Sequence, residues 1–182
     1  MSAAAGASGN GPARNGDATA PVSTVLIVCH ANTARSVMAQ VLLERMLVER
    51  GARHRIRIRS GGIASYARDG MLPSLDARLV LREDGIDLAE DALTSTDLKR
   101  HRDVVAAADL ILTMTAAQKE TIRVYEEADG RPVFTLREFA GEDGDIGDPA
   151  TQGEEAFRVC RDDIKRCRER AVDRLLVTFP EP

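Results

Sequence analysis

Cysteine and histidine are both scarce in this chain of 182 residues, with three of each, and tryptophan is absent. The cysteines Cys29, Cys160 and Cys167 are an odd number, and they lie too far apart for the close ligand clusters of a zinc site. The histidines are scattered as well, so no metal is expected. Free thiols without a disulfide framework point to a reduced, cytoplasmic compartment. Long apolar runs are missing: no stretch is long enough to cross a membrane, and the amino terminus lacks the basic start and apolar segment of a secretory signal. Strong charge is missing too. A net charge of −4 is mildly acidic and argues against nucleic acid as a general partner. Residues 1–22 carry almost no large apolar side chains and are expected to form a disordered tail. That leaves residues 23–182 as one domain, long enough for a substantial core.

What the chain does have is a short segment dense with chemistry. The apolar run Val25-Leu26-Ile27-Val28 reads as a buried strand, and Met38, Val41, Leu42, Met46 and Leu47 fall at helical spacing after it. Between them stand Cys29, His30, Ala31, Asn32, Thr33, Ala34, Arg35 and Ser36. The cysteine thus sits at the carboxyl end of a strand and the arginine opens a helix. Backbone N–H groups of such a loop, together with the positive end of a helix, make an anion site. The same field favours a thiolate at its rim.

The rest of the chain alternates. Arg55-Ile56-Arg57-Ile58-Arg59 reads as a strand whose charged face discourages edge pairing, the plainer alternative to phosphate-backbone contact. Ser60-Gly61-Gly62 is expected to break it. A helix over Leu75–Glu83 closes near Gly85, and Thr96–Ala108 contains a short polar helix. Asp109–Met114 reads as a central strand, and Thr115 caps a helix running to about Glu127. Val133–Leu136 is a fourth strand, residues 138–148 an acidic, glycine-rich loop, and about Gly153–Val177 the last helix. Its inner side carries Phe157, Cys160, Ile164, Cys167, Ala171 and Leu175, so the two later cysteines read as buried thiols. Four strands alternating with helices predict an α/β fold: a four-stranded, mostly parallel sheet with helices on both faces and a phosphate loop after the first strand. Ligands of such sheets bind beyond the carboxyl ends of the strands, where Cys29, Ser60, Thr113–Thr115 and the acidic loop all fall.

An ordinary thiol titrates at about 8.5, so a cysteine nucleophile at neutral pH needs donors and positive charge around it. Loop amides, a helix terminus and Arg35 supply both, and the Ser36 hydroxyl adds a donor. The planar fork of Arg35 suits two phosphate oxygens as a lysine would not. A thiolate so placed can attack phosphorus and form a phosphocysteine without a metal. Each element also has a structural reading: a buried cysteine at a strand end, a surface arginine at a helix start, and Asp148-Pro149 as a turn.

Val-Cys-x5-Arg-Ser near the amino terminus, Ser-Gly-Gly after the second strand, Ala-Asp-Leu-Ile-Leu-Thr-Met and a late Asp-Pro together resemble the low-molecular-weight protein tyrosine phosphatases, over roughly residues 24 to 178. The resemblance implies a four-stranded parallel sheet, no cofactor, a phosphorylated protein substrate and a two-step double displacement. It implies Cys29 as nucleophile, Arg35 as phosphate clamp and Asp148 as general acid and then base. The backbone of His30, Ala31, Asn32, Thr33, Ala34, Arg35 and Ser36 resembles the family's phosphate loop. Asn32 matches an asparagine held in the left-handed region, Ser36 and Ser60 match hydroxyls that brace the loop, and Tyr66 resembles one wall of the pocket.

The chain also departs from the pattern. Ala31, Ala34 and Val37 stand where the family usually has Gly, Cys and Pro. Ala31 would be strained if its position needs positive φ. Ala34 removes the vicinal thiol that can trap the nucleophile reversibly, and Val37 loses a preset first helical residue. Ala150 and Thr151 follow Asp148-Pro149, where aromatic residues are usual. Thr33 is isoleucine in many tyrosine-specific members and threonine in the bacterial protein arginine phosphatases. Phosphotyrosine is the leading substrate expectation and phosphoarginine the alternative. Arsenate reduction on the same fold would need cysteines close to the first, and an idle phosphate-binding adaptor would need the arginine but not Cys29. Glu142, Asp143 and Asp145 either solvate their loop or help keep Asp148 protonated and attract a basic substrate. Oligomeric state is not readable from the sequence.

Overall fold

The computed structural model describes residues 21–181, so the tail expected over 1–22 lies outside it but for Pro21 and Val22. The first strand, β1 (Ser23–Cys29), is buried from Val25 onward. The apolar run has no polar face because it lies between two layers of helix. Helix α1 (Arg35–Glu49) returns over the sheet, and Gly51 ends it at φ 68°. Strand β2 (Ile56–Gly62) alternates as expected: Ile56 and Ile58 are buried, Arg57 and Arg59 exposed. Helices α2 (Leu75–Glu83) and α3 (Arg102–Ala106) lead to β3 (Leu110–Thr113), which is buried throughout. After it come α4 (Ala116–Arg123), β4 (Val133–Thr135), α5 (Leu136–Phe139) and the long α6 (Glu154–Thr178).

The sheet is parallel throughout, in the order β2-β1-β3-β4. Its period of two divides the core. Val25, Ile27 and Cys29 pack with α1, α2 and α6, while Leu26 and Val28 pack with Val104, Val105 and Ile122 from α3 and α4. Helices therefore cover both faces, and the arginine-bearing strand is an edge. Cys160 and Cys167 are buried free thiols on the inner side of α6. Among the described residues no helix is long and apolar enough to cross a membrane.

Some boundaries differ from expectation. Ser60-Gly61-Gly62 does not break β2: Gly61 pairs with Val28 and Gly62 with Cys29. Glycine serves close approach here, since a Cβ on Gly62 would lie 2.7 Å from the His30 carbonyl oxygen and one on Gly61 2.5 Å from Leu98. Helix α4 stops at Arg123 and a 3-10 turn occupies Glu126–Ala128. Strand β4 ends at Thr135, whose side chain forms a capping box with Glu138 and starts α5 in place of a fourth strand residue.

Candidate active site

The register that sets Cys29 beside Gly62 carries the chain out of the sheet edge into the loop 30–34. Asn32 turns that loop at φ 61°, a conformation asparagine tolerates better than most residues. Among the described residues the other non-glycine with positive φ is Thr151, at 62°. Ala31 is therefore free of the strain that a positive φ would impose.

Asn32 is almost fully buried, and all of its side-chain polar atoms are used. Its Nδ2 donates to Ser36 Oγ at 2.8 Å and to Ser60 Oγ at 2.9 Å, and its Oδ1 accepts from the Thr96 N–H at 2.9 Å. Ser60 in turn donates to Gln40 Oε1 at 2.6 Å. This chain of bonds ties the loop to β2, to α1 and to the segment before α3. Fully satisfied, it holds the loop in one shape.

Cys29 Sγ lies 2.9 Å from Ser36 Oγ and accepts the Asn32 N–H at 3.3 Å. Both donors stabilise negative charge on sulfur. Helix α1 has no side-chain cap at Ala34, so the orphan N–H groups of its first turn are left for a ligand. Arg35 is 3% exposed. Its Nη1 donates to the Ile146 carbonyl at 2.9 Å, while Nη2 lies 3.3 Å from His30 Nδ1 and 3.4 Å from Asp148 Oδ2. One edge of the guanidinium is anchored, and the other faces the carboxylate.

Asp148 is 42% exposed and also lies 3.7 Å from His30 Nδ1. Its backbone is fixed by a small turn: Ala150 N–H donates to Asp148 Oδ1 at 3.0 Å and Gln152 Nε2 to its carbonyl at 2.7 Å. Thr151, β-branched and left-handed, is the strained member of that turn. Glu142 and Asp145 are engaged elsewhere, Glu142 with Arg137 at 3.1 Å and Asp145 with the Ala116 N–H at 2.9 Å.

These residues surround a cleft of about 90 Å³. Cys29, His30, Ala31, Thr33, Ala34 and Arg35 form its floor and one side, with Tyr66, Asp148 and Ala150 around the mouth. Asn32, Ser36 and Ser60 stand behind, in the brace. Every site residue expected from the sequence thus lies at the cleft or in the network supporting it. The sequence reading missed Gln40, Thr96 and the Ile146 carbonyl. Gln40 follows Ser36 by one helical turn on the same face, which was a usable signal. A backbone carbonyl from a distant loop leaves none.

Chemically, the arrangement offers a sulfur nucleophile, donors for an anion and a carboxylate able to hold or release a proton beside them. Among the described residues no group of three or more His, Cys, Asp or Glu side chains could hold a metal ion.

Residues 24–176 match the family model described as low molecular weight phosphotyrosine protein phosphatase. A protein-arginine-phosphatase of Geobacillus stearothermophilus is 34% identical over 153 residues, 83% of this chain and 95% of that protein. A probable low molecular weight protein-tyrosine-phosphatase of Ralstonia nicotianae is 34% identical over 148 residues, 80% of this chain and 90% of the other. Among solved structures, the YwlE arginine phosphatase from Geobacillus stearothermophilus superposes with a TM-score of 0.73 at 32% identity, covering 88% of this chain and 99% of that one. A YwlE arginine phosphatase mutant with a phosphorylated active-site serine gives 0.74 at 27% identity, covering 84% and 95%.

Proposed function

The chain belongs to the low molecular weight phosphotyrosine protein phosphatase family and is a cysteine-dependent protein phosphatase, and from that premise we propose that its preferred substrate is phosphoarginine in proteins. The observation that carries this reading is the cleft wall. Ala150 lines it where an aromatic side chain would serve a phosphotyrosine ring better, and the Thr33 hydroxyl can bond a polar guanidinium. The identity to a protein-arginine-phosphatase supports it. Phosphotyrosine is the second reading, favoured by the exposed ring of Tyr66 at the mouth.

In the first step, the Cys29 thiolate attacks phosphorus while the bond to the leaving nitrogen or oxygen breaks, and Asp148 gives that atom its proton. The loop amides and Arg35 bind the phosphoryl oxygens as their charge rearranges. In the second step Asp148 accepts a proton from water, the water oxygen bonds to phosphorus, and the S–P bond breaks to release phosphate and the thiolate. The Ser36 hydroxyl, 2.9 Å from the sulfur, stabilises the departing thiolate. His30, Ala31, Asn32, Thr33 and Ala34 present the cradle, Ser36 and Ser60 brace it and Tyr66 walls it.

A relay of thiols to Cys29, as arsenate reduction needs, is disfavoured because burial pushes the Cys160 thiol up to about 12 and Cys167 up to about 11. We take residues 23–182 to be the catalytic unit, working in the reducing cytoplasm where Cys29 stays unoxidised. The test is a side-by-side comparison of kcat/KM on matched phosphoarginine and phosphotyrosine peptides. The phosphoarginine peptide should be preferred, and Thr33→Ile should shift the ratio toward phosphotyrosine. A ratio that Thr33→Ile leaves unchanged contradicts the role given to Thr33.

A further inference from the structure

A second, larger groove of about 320 Å³ shares two lining residues with the catalytic cleft. His30 and Tyr66 border both, so the two spaces adjoin. The groove is walled by the loop after β2, including Ser65, and by the start of α4, including Ala117, Gln118 and Thr121. Among the described residues no Asp, Glu, Lys or Arg lines it.

Gln118 is the unusual member. It is 1% exposed. Its Oε1 accepts the N–H groups of Met114 at 3.0 Å and Thr115 at 3.1 Å, closing the capping box of α4 and fixing which way the amide faces. That leaves Nε2 buried with no hydrogen-bond partner among the described residues. A capping role accounts for the oxygen and leaves the nitrogen unexplained. Buried donors are rarely left unpaired, and a ligand acceptor in this groove would satisfy the nitrogen.

We propose that the groove is a subsite for the main chain of the protein substrate next to its phosphorylated residue, with Gln118 Nε2 donating to a main-chain carbonyl there. The neutral, hydroxyl-bearing wall suits a peptide backbone, and a charged side chain would find no countercharge on it. The inference rests on the protein-phosphatase reading above and extends it from the phosphoryl group to the peptide that carries it.

The test compares phosphoarginine and phosphotyrosine, each as the capped amino acid and as the centre of a short alanine-based peptide. Gln118→Glu keeps an acceptor for both capping N–H groups and removes the donor. Ala117→Trp, at an exposed position, fills the groove instead. In each variant the ratio of kcat/KM for peptide over capped amino acid should fall by about tenfold relative to wild type, in the range of one hydrogen bond and its packing lost. A purely structural Gln118 would move both substrates together. An unchanged ratio in both variants overturns the subsite. Calorimetric titration of the same peptides into Cys29→Ser, with and without Gln118→Glu, judges the groove apart from catalysis. Weaker peptide binding with Gln118→Glu supports it and equal binding overturns it, even if wild-type turnover fails and the phosphatase reading falls.

Discussion

Replacing Asn32 with alanine tests whether the site depends on one side chain that shapes its loop. The residue sits at φ 61° and makes three side-chain hydrogen bonds, a buried one to Ser36 and part-buried ones to Ser60 and the Thr96 N–H. The left-handed conformation costs an ordinary residue about 1–2 kcal/mol, much of which asparagine avoids. The Thr96 N–H loses its acceptor, which costs about 1–3 kcal/mol if the group stays buried. The serines contribute little, because Ser60 still reaches Gln40 and Ser36 still reaches Cys29. The sum is about 2–5 kcal/mol, equivalent to a fall in Tm of roughly 4–20 °C for a domain of this size. Asn32→Gly removes the same hydrogen bonds without the backbone strain, so it should recover about 1 kcal/mol of that loss. Differential scanning calorimetry of wild type and both variants measures each part. Activity should fall further than stability implies, on the order of a hundredfold in kcat/KM if the loop amides shift by about 1 Å. Equal Tm values for the alanine and glycine variants would refute the strain argument. Wild-type stability in Asn32→Ala would refute the brace.

Asp148→Asn should slow release of poor leaving groups far more than good ones in a series of aryl phosphates, and a uniform loss would remove Asp148 from the acid role. Iodoacetamide at pH 8 should label Cys29 and spare Cys160 and Cys167, whose thiols burial pushes up to about 12 and about 11, and peptide mass spectrometry reads the outcome. Rapid labelling of the helix thiols in the folded protein would contradict the packing described for α6. The Arg158 and Arg161 guanidiniums lower the Glu83 carboxyl from its ordinary 4.5 to about 2. The stability it contributes is therefore fully present above pH 4.5 and lost as pH falls toward 2. Glu83→Gln should flatten the acid side of a Tm-against-pH curve in that window, and an unaltered curve would show the pair to be inconsequential.

The parts legible in the sequence were those where one local pattern decided the outcome. The unbroken apolar run of β1, the alternation of β2 and the seven-residue spacing of Cys160 and Cys167 each mapped onto a buried surface. Boundaries were lost where the signal was shorter than a period. The four residues of α5 are too few to show helical spacing, although Thr135 and Glu138 already formed a capping-box pair. The glycines of β2 read as breakers because glycine usually ends strands, whereas here Gly62 admits the His30 carbonyl at close range. In the site, Cys29, Arg35 and Asp148 stood out by chemistry and context. The anchoring of Arg35 by the Ile146 carbonyl, 111 positions away, depends on tertiary structure alone. So does the left-handed Thr151, since a β-branched residue disfavours that region and only the turn around Pro149 and Gln152 holds it there.

The account turns on the sulfur of Cys29 becoming bonded to phosphorus during turnover. Enzyme mixed with excess of an aryl phosphate bearing a good leaving group, quenched during steady turnover and digested under conditions that preserve thiophosphate esters should yield the Cys29 peptide carrying one phosphoryl group, and Asp148→Ala should increase its yield by slowing the second step. Turnover that proceeds with no phosphate on that peptide, or that survives Cys29→Ser, would contradict the account.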